Sequence, residues 1–104
     1  MLALLLVVAA TLEVGGDAAI RHGLLLPSRP WQVAGVLLLG AYGWVVNVNR
    51  AVDFGSVMGL YIAVFFVVSQ VLSVVLFGER PSPSLLLGGA LIIGGGLVIQ
   101  LGGR

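Results

Sequence analysis

Four long apolar runs, separated by short breaks that carry most of the prolines and charges, leave this 104-residue chain little choice of fold. The first, about 1–20, is MLALLLVVAATLEVGGDAAI; the second, about 31–48, opens at Trp31 and ends near Asn47, Asn49 and Arg50. The third, about 55–77, is GSVMGLYIAVFFVVSQVLSVVLF, and the fourth, about 85–101, is LLLGGALIIGGGLVIQL. A helix needs about 20 apolar residues to cross the hydrocarbon core. Four such helices with short loops use nearly the whole chain and predict an all-α integral membrane domain over 1–104. Gly23, Pro27 and Pro30 mark the first break, Asp53 lies in the second, and GERPSPS makes the third.

Composition agrees. Only 9% of the residues are charged and 60% are hydrophobic, against roughly 25% charged in soluble domains. A formal charge of +1 speaks against a nucleic-acid partner, and the absence of Cys excludes disulfides and thiolate chemistry. No metal or cofactor motif is present: the glycines of the fourth run lack the lysine of a phosphate loop and lie in lipid. An enzyme is not expected, because His22 stands alone in a loop and no nucleophile sits beside a base. The first run could imitate a secretory signal, but it lacks a basic leader segment and is read as a span.

Arginine placement bears on orientation. With four spans, Arg50, Arg104 and the amino terminus share one side, and Arg21, Arg29 and Arg80 the other. So even a division gives the positive-inside rule little to act on. Three outcomes follow: dual insertion with an antiparallel homodimer, a partner chain of opposite bias, or a single orientation set by one arginine.

Two of the four acidic residues lie in the first run. At 1.5 Å per residue, Glu13 is roughly 18 Å along a core about 30 Å thick and Asp17 about 24 Å, with Arg21 near the far interface. Glu13, Asp17 and Arg21 share a helix face, and an acid four residues before a base is the favourable order for pairing. Asp17 with Arg21 therefore reads as a shallow ion pair whose arginine leans to headgroup water. Glu13 is deeper, with no basic residue within a turn on its own helix. An ionised carboxylate in hydrocarbon is costly, so such an acid takes up a proton or a cation and is a functional site by default.

Small residues and aromatics surround this acid in the sequence. Gly15 and Gly16 follow it, leaving room for a neighbouring helix or a ligand. Trp44 in the second run and Tyr61 in the third offer π faces to a cation, with Tyr42, Asn47 and Met58 as further pocket candidates. Trp31 reads as an interfacial anchor. In the fourth run Gly88 and Gly95, and Gly89 and Gly96, are seven apart, a seam expected to pack against another subunit.

LEVGGDAAIR in the first run, Trp44 midway through the second, Gly55 heading the third and FGERPS before a glycine-seamed fourth together resemble the small multidrug resistance transporters of the drug/metabolite transporter superfamily. The resemblance covers nearly the whole chain, and its most specific element is Glu13, Val14, Gly16 and Arg21. It implies an antiparallel dimer in a prokaryotic inner (plasma) membrane, in which the two Glu13 carboxylates bind protons and a cationic substrate in competition. It also implies that Trp44 and Tyr61 line the pocket and that Gly89 and Gly96 belong to the dimer seam. The chain departs from the family at Met58 and Tyr61, where a Tyr and a Trp are usual, at Ala63 to Phe65 in place of a Gly-X-Gly hinge, at Asp17, usually uncharged, and in the turn RHGLLLPSRP. A divergent member is implied, working as a proton-coupled antiporter of a small cationic or amphipathic solute. Two alternatives are a flippase-like small transporter of a lipid or lipid-linked substrate and a non-transporting membrane subunit with a partner chain.

Overall fold

The computed structural model describes residues 2–48 and 52–102. The expected roles of Asn49 and Arg50 in the second loop, and of Arg50 and Arg104 in the charge balance, lie outside the described residues. The fold is all-helical: α1 is Leu2–Leu25, α2 Arg29–Val46, α3 Phe54–Phe77 and α4 Pro83–Gly102. α1, α3 and α4 are long and apolar enough to cross a membrane. α2 is not among them. Its 18 residues rise about 27 Å, close to the core thickness of about 30 Å. Its first turn, however, is Arg29, Pro30, Trp31 and Gln32, so its apolar stretch begins only at Val33.

The first break is shorter than its glycine and prolines suggest. α1 does not stop at Ile20 but runs through Arg21, His22 and Gly23 to Leu25. Basic groups near a helix C-terminus face the negative end of its dipole, which favours the extension. Proline is compatible with the first turn of a helix, where no intrahelical N–H bond is lost, and so α2 starts at Arg29 rather than Trp31. Its far end comes at Val46, two residues short of the expected Val48, with Asn47 as the cap. Asp53, expected simply in a loop, caps α3 by accepting a hydrogen bond from the Ser56 amide at 3.0 Å. Gly78, at φ 64°, ends α3 in the left-handed conformation. The Gly78 amide donates to Val74 O (3.1 Å) and the Glu79 amide to Ser73 O (3.3 Å), satisfying the last carbonyls. The Ser82 hydroxyl oxygen accepts from the Leu85 amide at 3.1 Å at the start of α4.

The chain divides into two compact units, Met1–Asn49 with α1 and α2, and Arg50–Arg104 with α3 and α4. Each is an antiparallel helical hairpin. In the first, Gly16 of α1 lies against Gly35 and Leu39 of α2, and Gly23 against Ser28 and Gln32. Ala9, Gly16 and Gly23, seven residues apart, are all buried, and small residues at this interval let two helix backbones approach along one stripe. In the second hairpin Gly59 meets Ile99, Ala63 meets Gly96, and the Phe66 ring covers Gly89.

Candidate functional site

Register places the partner of Glu13. Gly16 packs on Leu39, and the two helices run in opposite directions, so one turn back along α1 corresponds to one turn forward along α2. That step leads from Gly16 to Glu13 and from Leu39 to Tyr42. Glu13 is half-buried on α1 and Tyr42 half-buried on α2, within electrostatic reach of each other. A carboxylate and a phenol thus share the hairpin interface one turn from its closest backbone approach. Such a pair can hold a proton or a small cation: the carboxylate supplies charge, and the phenol an O–H donor or a ring face.

Asp17 is exposed, one turn further along α1, and so is Arg21. The two acids of the first run therefore occupy different surroundings, Glu13 against α2 and Asp17 on an outer face.

The remaining expected pocket residues do not gather around Glu13 within this hairpin. Trp44 is 81% exposed. At 100° per residue it points away from Tyr42, on the opposite side of α2 from α1, so within this hairpin the two do not share a face. Asn47 is exposed, and its side-chain amide donates to Gly43 O at 2.8 Å, so it closes the end of its own helix. Gly15 has open space around it, and Gly16 alone of the adjacent pair makes the helix contact. In the second hairpin Tyr61 is buried at 4% exposure, with its ring centroid 5.9 Å from that of Phe65, and Met58 is half-buried.

The glycine seam of α4 also divides. Gly89 and Gly96 pack against α3 of the same chain, whereas at Gly88 and Gly95 a Cβ would meet no atom within 4 Å. Helix rotation explains the split: adjacent residues lie 100° apart, so only one of each pair faces α3.

Two features are not evident in the sequence. Gly35, the α2 half of the backbone crossing, has a same-face glycine only at Gly43, eight residues on, where a Cβ would meet no atom within 4 Å; on α1 the seven-residue spacing of Ala9, Gly16 and Gly23 is the clearer sign. His22, expected alone in a loop, lies inside α1 with its ring 4.8 Å from Trp31 in an edge-to-face contact. Among the described residues, no group of three or more His, Cys, Asp or Glu side chains comes together as a metal site would require.

No family model and no solved structure matches the chain. It is similar to a UPF0060 membrane protein of Mycolicibacterium vanbaalenii, 38% identical over 99 residues, covering 93% of this chain and 92% of that protein. A UPF0060 membrane protein of Mycolicibacterium gilvum is 38% identical over 104 residues, covering 98% and 95%. One of Saccharopolyspora erythraea is 34% identical over 106 residues, covering 96% and 92%. With near-complete coverage of bacterial membrane proteins and three helices able to span a bilayer, this is an integral protein of the bacterial plasma membrane, and it belongs to the UPF0060 membrane-protein family.

Proposed function

We propose that the protein is a proton-coupled antiporter of a small cationic or amphipathic solute, working as an antiparallel dimer of the small multidrug resistance type. The observation that carries this reading is Glu13: an acid midway along an apolar helix, half-buried beside Tyr42 where α1 and α2 cross. Buried ionisable groups in a membrane mark ion and substrate paths. A proton and a cation compete for one carboxylate, since neutralising it by one removes the charge that attracts the other. Binding of substrate thus releases the proton, and protonation releases the substrate. The partner is a second copy of the chain or a homologous chain, and no cofactor takes part.

The test uses purified protein in liposomes with an imposed proton gradient, challenged with a panel of quaternary ammonium and primary amine cations. Wild-type protein is expected to move protons when a substrate is added, and Glu13→Gln to fall to the rate of empty liposomes. Substrate-driven proton movement that survives Glu13→Gln would remove this acid from the mechanism.

A second reading, a flippase-like transporter of an amphipathic or lipid-linked substrate, is favoured by the outward positions of Trp44 and Asp17, both open to the surroundings of the hairpin. Translocation of a fluorescent lipid analogue in the same liposomes, with no proton movement on adding soluble cations, would select it.

A further inference from the structure

The end of the first hairpin where α1 turns into α2 combines three properties. It is apolar and open: Leu24, Leu25 and Leu26 are 64%, 64% and 60% exposed, and Trp31 is 49% exposed. It is basic: Arg21 and Arg29 are both exposed, and the chain carries no acid from residue 18 to residue 52. Even with Asp17 paired to Arg21, Arg29 leaves the turn positive. It is also well braced. The His22 ring packs edge-on against Trp31, the Gln32 side-chain amide donates to Gly23 O at 3.2 Å, and the Ser28 amide donates to the same carbonyl at 2.7 Å.

Length decides where this turn lies. The 24 residues of α1 extend about 36 Å, longer than a hydrocarbon core of about 30 Å. The turn consequently reaches the headgroup layer, with three leucines lying beyond Arg21 in the chain. Leucines at that level avoid water by sinking beside the acyl chains, while arginines reach outward to phosphates, which a guanidinium can bind through two parallel N–H bonds.

We propose that the α1–α2 turn is an anchor for anionic phospholipids, with Arg21 and Arg29 gathering the headgroups around a wedge formed by Leu24, Leu25 and Leu26. Charge complementarity selects anionic over zwitterionic lipid, and the apolar wedge selects lipid over a soluble anion. The inference is independent of what the protein transports.

The chain has two tryptophans, so Trp44→Phe leaves Trp31 as the sole fluorescent reporter at the turn. This protein is reconstituted in phosphatidylcholine vesicles that contain, at equal mole fraction, either brominated phosphatidylcholine or brominated phosphatidylglycerol as the quencher. The expected result is about two-fold or greater excess quenching by the anionic lipid. It should vanish in Arg21→Gln/Arg29→Gln, with quenching by phosphatidylcholine unchanged, and persist in Arg80→Gln, which removes an arginine from the other hairpin. Replacing Leu24, Leu25 and Leu26 by Ser should reduce quenching by both lipids. Helicity by circular dichroism, equal across the variants, shows that each has folded. Equal quenching by the two lipids would overturn the proposal, as would a preference that survives loss of both arginines. So would reversal of the preference by inorganic phosphate, which would make this a soluble-anion site, or the absence of quenching by either lipid, which would place protein over the turn.

Discussion

The two hairpins are joined by different kinds of contact. Between α1 and α2 the backbones themselves meet: a Cβ on Gly35 would stand 2.6 Å from Gly16 O, and one on Gly16 2.9 Å from Gly35 O. Between α3 and α4 the three glycines in contact each face a side chain, Gly59 beneath the Ile99 Cδ1, Gly89 beneath the Phe66 ring and Gly96 against the Ala63 Cβ. The chemistry divides the same way. α1 carries Glu13, Asp17 and Arg21, whereas α3 and α4 contain no Asp, Glu, Lys or Arg. The hairpin that holds the acid is thus the one whose helices have least freedom to shift, and the one with uncharged helices is held mostly by side chains that can rearrange. With the backbone fixed in this way, the separation of Glu13 and Tyr42 depends on few soft degrees of freedom.

The sharpest way to break this contrast is Gly35→Val. Its side chain would collide with Ile20 as well as with Gly16 O, and the backbone atoms involved cannot turn aside. Overpacking of this kind costs about 3 kcal/mol or more. Unfolding in detergent titrated with SDS, followed by circular dichroism, should show a large loss of stability, and an unchanged midpoint would mean that the hairpin opens easily after all.

Gly96→Ala tests the one contact of the second hairpin that a rotamer change cannot relieve, since the opposing Ala63 Cβ is fixed to its backbone. A cost of about 1–2 kcal/mol is expected, recovered in Gly96→Ala/Ala63→Gly. Gly89→Ala should cost less, because the ring edge of Phe66 can swing away. If Gly89→Ala proved as damaging as Gly35→Val, the distinction between backbone and side-chain contact would fall.

Smallest is the effect of Gly88→Ala and Gly95→Ala. Both sites are open within the chain, and helix propensity alone favours alanine by up to about 1 kcal/mol per site. Neither should destabilise a single chain. Cross-linking yield in membranes then reads the other possibility: loss of a dimer on these substitutions would show that the open glycine stripe packs against a second copy.

Much of this architecture is legible in residue order. Hydropathy is a local property, and helices are expected at all four runs because no other backbone state satisfies its own hydrogen bonds in lipid. The helix boundaries differ from expectation where two rules compete. Gly23 and Pro30 are loop signals in isolation, yet Gly23 serves a close helix approach and Pro30 fits a first turn, so the break shrinks to Leu26–Ser28. Glu13 is legible from chemistry alone, since an acid deep in an apolar run is conspicuous. The outward position of Trp44 is not legible in the sequence, because an aromatic residue in a span suits a pocket or a lipid-facing surface equally well.

The sequence by itself determined that this is a helical membrane protein with an acid, Glu13, deep in its first apolar run, because burial energies of apolar and ionised groups depend on residue type. Only the tertiary structure decided which of Gly15 and Gly16, and which of Gly88 and Gly89, meets a neighbouring helix, and that Tyr42 rather than Trp44 stands beside the acid. Those choices depend on how each helix is rotated about its axis, and packing against the partner helix sets that rotation.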